Sequence, residues 1–158
     1  MDKWQEIYKN NIKLDNIFIE KYSSDKYLYE KNCIGLLVEL GEFINETKCF
    51  KYWSIKKPDK EKMLEEYADC ITSSMVFLDH HELKDLPTPY QTDNILELLN
   101  HIFRKATELY NNNDIELAKD ILSNIFQIRV LLNIDEQDLI NACKNKQKII
   151  LDRLNSNY

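Results

Sequence analysis

The sequence predicts an all-α protein, a bundle of about six helices without a sheet, and three observations carry that prediction. Glycine and proline number two and three in 158 residues, against heavy use of Leu, Ile, Lys, Glu and Asn, a composition that favours helix and leaves few turns. Apolar residues recur three and four apart in segment after segment, the spacing of one helix face. The intervals between those segments hold capping and turn residues, and no segment reads as a strand. At this length the chain suits one domain with a real core, so residues 1–158 are read as a single unit.

The first helix is expected from about Lys3 to Tyr22, with Trp4, Ile7, Tyr8, Ile12, Leu14, Ile17 and Phe18 buried. Ser23-Ser24-Asp25 ends it and can cap a second helix that continues from about Lys26 through Glu46. Gly35 and Gly41 inside this helix cost about 1 kcal/mol each relative to Ala, and close helix approach is the expected reason, with room for a ligand as the sharper alternative. The connector from Cys49 to Pro58 carries Phe50, Lys51, Tyr52, Trp53 and Ser54; aromatics there suit a hydrophobic plug, and Lys51 beside Trp53 also suits a phosphate-and-base pocket. Pro58-Asp59 suits the start of a third helix running to about His81, where His80 and His81 are read as capping or exposed residues, because imidazolium favours a helix C-terminus. Leu86-Pro87-Thr88-Pro89 is a stiff loop. Thr92 or Asp93 can cap a fourth helix to about Tyr110, with Ile95, Leu98, Leu99, Ile102, Phe103, Ala106 and Leu109 on one face. Asn111 to Asp114 is a turn with a ready cap for a fifth helix over about Ile115 to Leu132, and Asp135 caps a sixth that reaches almost to the end.

Chemistry concentrates in the second and third helices. At about 100° per residue, Glu39, Glu42 and Glu46 share a narrow stripe beside the apolar stripe of Leu36, Leu37, Leu40, Phe43 and Ile44. Glu66 and Asp69 repeat the three-residue spacing beside Met63, Tyr67, Cys70, Ile71, Ser74 and Phe77. Packed antiparallel through their apolar faces, the two helices would set two pairs of carboxylates across a cleft. A single Glu-x-x-Glu is usually a solvated face; two pairs, each bordering an apolar stripe, are a stronger signal. Crowded carboxylates near a core raise one another's pKa and resist desolvation unless a cation sits between them. The donors are all oxygen, which favours Mg²⁺, with Mn²⁺ as an alternative, over zinc.

Charge and cysteines limit the alternatives. A net charge of -6 without a basic patch argues against a nucleic-acid partner. Cys33, Cys49, Cys70 and Cys143 form no Cys-x-x-Cys pair and are expected as reduced, mostly buried thiols of a cytoplasmic protein, no signal peptide being recognisable. No apolar run approaches the roughly 20 residues of a membrane span, so no membrane partner is expected and the protein is read as soluble.

Taken in order and at their spacing, Glu39-Leu40-Gly41-Glu42, Asn45-Glu46, Phe50-Lys51-Tyr52-Trp53-Ser54 and Glu66-Tyr67-Ala68-Asp69 resemble the dimeric all-α dUTPases, relatives of the MazG-type nucleoside triphosphate pyrophosphatases. Asn11-Ile12-Lys13-Leu14-Asp15 is similar to the family's Gln-x-x-Leu-Asp/Asn, with Asn11 for Gln; Lys146, Arg153 and Tyr158 match its C-terminal motif, where Ile150 replaces an Asn and Asn157 a Gly. The resemblance implies Glu39, Glu42, Glu66 and Asp69 as Mg²⁺ ligands, a nucleotide among Asn11, Lys51, Trp53, Lys146, Arg153 and Tyr158, and a homodimer. Without it, Lys146 and Arg153 read as ordinary solvated helix charge.

The function so implied is a Mg²⁺-dependent pyrophosphohydrolase converting dUTP to dUMP and pyrophosphate. A metal-activated water, deprotonated by Glu39 or secondly by Glu42, attacks the phosphate chain, and Trp53 covers the base. Phosphoryl transfer needs charge neutralisation and an oriented water more than covalent chemistry, which agrees with such a site. The rivals are a MazG-like or dCTP-directed pyrophosphatase, which Ile150 favours, and a helical interaction protein that has lost catalysis. A di-iron bundle needs Glu-x-x-His on its helices, and the chain has none.

Overall fold

The computed structural model describes residues 2–78, 81 and 83–156. Among these lie six α-helices and no strand: α1 (Asp2–Tyr22), α2 (Leu28–Thr47), α3 (Lys60–Met75), α4 (Ile95–Asn112), α5 (Ile115–Leu131) and α6 (Glu136–Asn155). The all-α bundle expected from composition and periodicity is the observed architecture. Sequence-local capping fixes most of its boundaries. Asp59, Asp114 and Asp135 each accept backbone N–H groups of the first turn that follows them, satisfying donors that have no partner inside the helix. Asn113 adopts the left-handed conformation that ends α4 (φ 41°), which Asn tolerates better than most residues.

Three boundaries differ from expectation. α2 begins at Leu28 behind Tyr27, with no side-chain cap; Asp25 accepts from the Tyr27 N–H one residue short of the helix. The α4 cap is Asn94, whose side chain accepts from the Leu96 N–H, while Thr92 stands outside the helix, accepting from the Asn94 N–H and donating to Glu97. The third helix stops at Met75 and gives way to a 3-10 turn, Val76–Leu78, short of His81. Thr72 and Ser74 hydroxyls donate back to the carbonyls of Ala68 and Ile71, a competition with the backbone ladder that bends and ends helices. The His81 ring meets the Leu78 carbonyl at 2.8 Å, a capping contact as expected; His80 lies outside the described residues.

The core is built by α2 and α3 packed face to face and enclosed by the other helices. Leu36, Leu40 and Phe43 of α2 meet Tyr67, Cys70 and Ile71 of α3 in one buried cluster with Leu98, Ile102, Leu122 and Ile125. Tyr67 stacks on Phe43 at 4.9 Å between ring centroids, and its hydroxyl donates to the Ile125 carbonyl at 2.6 Å, so this buried hydroxyl is satisfied. Nearer the start of α2, Tyr29 meets Phe77 edge to face. These two ring pairs fix the helices as antiparallel and set their register. α1 lies over α3 and α6: Trp4 donates to Glu136, and the Gln147 amide donates to the Ile7 carbonyl. The end of α1 departs from expectation, since Ile17 and Phe18 are about two-fifths exposed; Phe18 lines open clefts toward α6 and α2 there instead of packing into the core. Cys33, Cys70 and Cys143 are buried, Cys49 is half-buried, and all four are unpaired thiols.

The glycines also depart from expectation. A Cβ built on Gly35 or Gly41 would meet no atom within 4 Å, so close helix approach explains neither. Among the described residues no helix is long and apolar enough to cross a membrane.

Candidate metal and nucleotide site

The register set by the Phe43–Tyr67 stack brings the two acidic stripes together. Carboxylate oxygens of Glu39, Glu42 and Glu66 lie within 4.8 Å of one another. Asp69, one turn beyond Glu66, is buried and receives the Lys146 ammonium of α6 at 2.6 Å. The acids of α2 and α3 therefore form one negative surface, and Lys146 stands at its Asp69 edge. No His or Cys belongs to the grouping of three.

The electrostatics follow from that crowding. Burial, then repulsion from Asp69 and Glu42, pushes the Glu39 carboxyl up to about 7. Glu66 is raised by burial and by its neighbours Glu42 and Asp69. At Asp69 burial outweighs the opposing pull of Lys146, and the net direction is again upward. Such a set is unfavourable by itself, and a hard divalent cation among three oxygen donors removes the conflict. The residues fit that role.

From the acids a single face of α2 leads to a second feature. Glu42, Glu39, Gly35, Asn32 and Leu28 follow one another at three- and four-residue steps, hence on one side of the helix. Asn32 and Leu28 line a cleft of about 820 Å³ with Asp15 and Tyr22 of α1, Tyr29 and Phe77. Asn32 is seven residues from Glu39, about 10 Å along the axis. Burial pushes the Asp15 carboxyl up to about 7. Asn11, also buried, donates to the Thr72 carbonyl at 3.0 Å and approaches Asp15 at 3.5 Å; it fastens α1 to α3 and borders Asp15.

The remaining residues singled out in the sequence are dispersed. Lys51 donates to Asn45 at 2.6 Å, and Trp53 is 65% exposed, edge to face with Phe50 and Tyr52. Both belong to the connector after α2, at the end of that helix remote from the Asp15 cleft. Arg153 lines a separate cavity of about 220 Å³ with Phe18, Lys21, Tyr22 and Ile150. Tyr158 and Asn157 lie outside the described residues. Of the cleft residues, Phe77 was expected on the apolar face of the third helix, and Asn32 and Tyr29 carried no expected role. The signal available for Asn32 was the α2 acid stripe, which continues toward the N-terminus at the same spacing.

The family model for dUTPase matches residues 3–158. Neither the curated proteins nor the solved structures contain a match to the chain.

Proposed function

Because the chain belongs to the all-α dUTPase family and is thereby a metal-dependent hydrolase, dUTP diphosphatase, we propose that its four acids from α2 and α3 form the catalytic centre and that dUTP lies along α2. Glu39, Glu42, Glu66 and Asp69 would hold Mg²⁺, or Mn²⁺ in its place. The observation that carries this is the convergence of three carboxylates within 4.8 Å at the rim of the core. When bound, the metal supplies positive charge against the triphosphate and acidifies water.

The chain's own residues divide the remaining work. Glu39, less exposed than Glu42 and flanked by Asp69, is the proposed base that takes the proton from the attacking water, with Glu42 as the second choice. Lys146, held at Asp69, stands ready to pair with a phosphate oxygen. Asp15, Asn32 and the rings of Tyr29 and Phe77 would receive the deoxyuridine in the cleft, with Asn11 holding the α1 wall. This assigns Lys51 and Trp53 to the pyrophosphate end and Arg153 to the α1 end, with Tyr158 kept as a nucleotide contact on the family likeness alone.

Residues 1–158 are proposed as one domain in a cytoplasmic homodimer. Ile34 and Val38, one turn apart on the outer side of α2 and about half exposed, support a second copy there. Pyrophosphate release measured across the deoxynucleoside triphosphates, with Mg²⁺ and after chelation, tests the proposal. Metal-dependent turnover of dUTP that disappears in Glu42→Ala and Glu66→Ala is expected. Full turnover in both variants would remove the metal centre from α2 and α3.

A further inference from the structure

Gly35 is the one residue of the α2 stripe without a side chain, and nothing in the free protein accounts for that. At about 100° per residue, Leu28, Asn32, Glu39 and Glu42 all fall within about 60° of it around the helix. Two of these belong to the carboxylate group and two line the Asp15 cleft. Gly35 is half-buried, yet a Cβ there would meet no atom within 4 Å. Its φ is not positive, so its backbone makes no demand for glycine either. Mid-helix glycine is less favourable than alanine, and here no close packing offsets that. Gly41 has similarly empty surroundings but lies about 120° further round, in a cavity of about 390 Å³ with Glu42 and Glu66, off the line from the Asp15 cleft to the carboxylates.

We infer that Gly35 is a clearance position for the substrate. The missing side chain keeps the groove floor low where the sugar and first phosphate of the nucleotide cross from the cleft to the carboxylates. The inference rests on the proposed seating of dUTP along α2. A methyl group at this position would stand in the path of the ligand while touching no protein atom, so stability and binding should move in opposite directions.

The test is a pair of variants, Gly35→Ala and Gly35→Leu, assayed for melting temperature, for KM with dUTP, and for binding of dUMP and inorganic tripolyphosphate in the presence of Mg²⁺. Gly35→Ala should melt about 2–4 °C higher than the parent, from helix propensity alone. KM for dUTP and Kd for dUMP should rise about ten-fold in Gly35→Ala and about a hundred-fold or more in Gly35→Leu, the size of an overpacking penalty. Tripolyphosphate, which needs only the acidic end, should bind both variants as it binds the parent. Parental KM in the alanine variant would overturn the inference, and so would equal loss of dUMP and tripolyphosphate binding. Should Gly35→Leu fail to fold, the alanine variant decides alone. The seating of dUTP is judged separately by Asn32→Ala and Glu42→Ala: unchanged KM and turnover in these would defeat it whatever Gly35 does.

Discussion

Asp15→Asn replaces a carboxyl held by burial at about 7 with an amide of nearly the same shape. The ordinary value of that carboxyl is 3.8, so below about pH 4 it is neutral in both the folded and the unfolded chain and burial carries no charge penalty. As pH rises the unfolded chain releases its proton first, and stability is lost progressively until the folded carboxyl also ionises near pH 7. At 1.36 kcal/mol per unit, the displacement corresponds to about 4 kcal/mol as an upper bound. Asp15 is only half-buried by surface area, and solvent screening reduces the expected penalty to about 1–2 kcal/mol. The assay is urea unfolding of parent and variant in metal-free buffer at about pH 3 and about pH 8.5, below and above both ionisation ranges. Taking the difference between the two proteins cancels Glu39 and Glu66, which titrate in both. The variant should gain about 1–2 kcal/mol on the parent between the two pH values. A difference flat to within about 0.3 kcal/mol, the usual error of such comparisons, would refute the reasoning.

The carboxylate centre yields three more predictions. Glu42→Ala should lower kcat by about a thousand-fold, yet leave the metal-free melting temperature unchanged or raised, because Glu42 is exposed and its removal relieves repulsion; calorimetry beside a pyrophosphate assay checks both. Asp69→Ala should also abolish turnover but destabilise the fold by about 1–3 kcal/mol, since it leaves the Lys146 ammonium unpaired, and a double-mutant cycle with Lys146→Met should recover part of that loss. Mg²⁺ at about a hundred times its Kd should stabilise the parent by about 2.7 kcal/mol, and thermal melts of Glu66→Gln should show most of that gain gone.

Much of the fold was legible because helix formation is largely local. Asp59, Asp114 and Asp135 cap helices wherever those helices pack, and the spacing of Leu36, Leu40 and Phe43 marks a buried face before its partner is known. Misjudged boundaries arose where a local alternative competes. Asn94 takes the cap expected of Thr92 or Asp93, and back-bonding at Thr72 and Ser74 accompanies the early end of α3. Ile17 and Phe18 carried the right character for a core and stand where α1 opens into clefts, Phe18 lining those toward α2 and α6.

The acidic stripes, the helical class and the family likeness were thus determined by the sequence alone, since each depends on residues three or four apart or on an ordered motif. Only tertiary structure decided how the stripes meet. The Phe43–Tyr67 stack sets a register that brings Glu66 to Glu39 and Glu42, and α6 delivers Lys146 to Asp69 across 77 residues of chain. The cleft between Asp15 and Asn32 likewise exists only where α1, α2 and the turn after α3 converge, and the open space at Gly35 is known only from the packed fold. A side chain's helix face follows from its neighbours in sequence, whereas what fills or leaves open the volume in front of it depends on packing among distant segments.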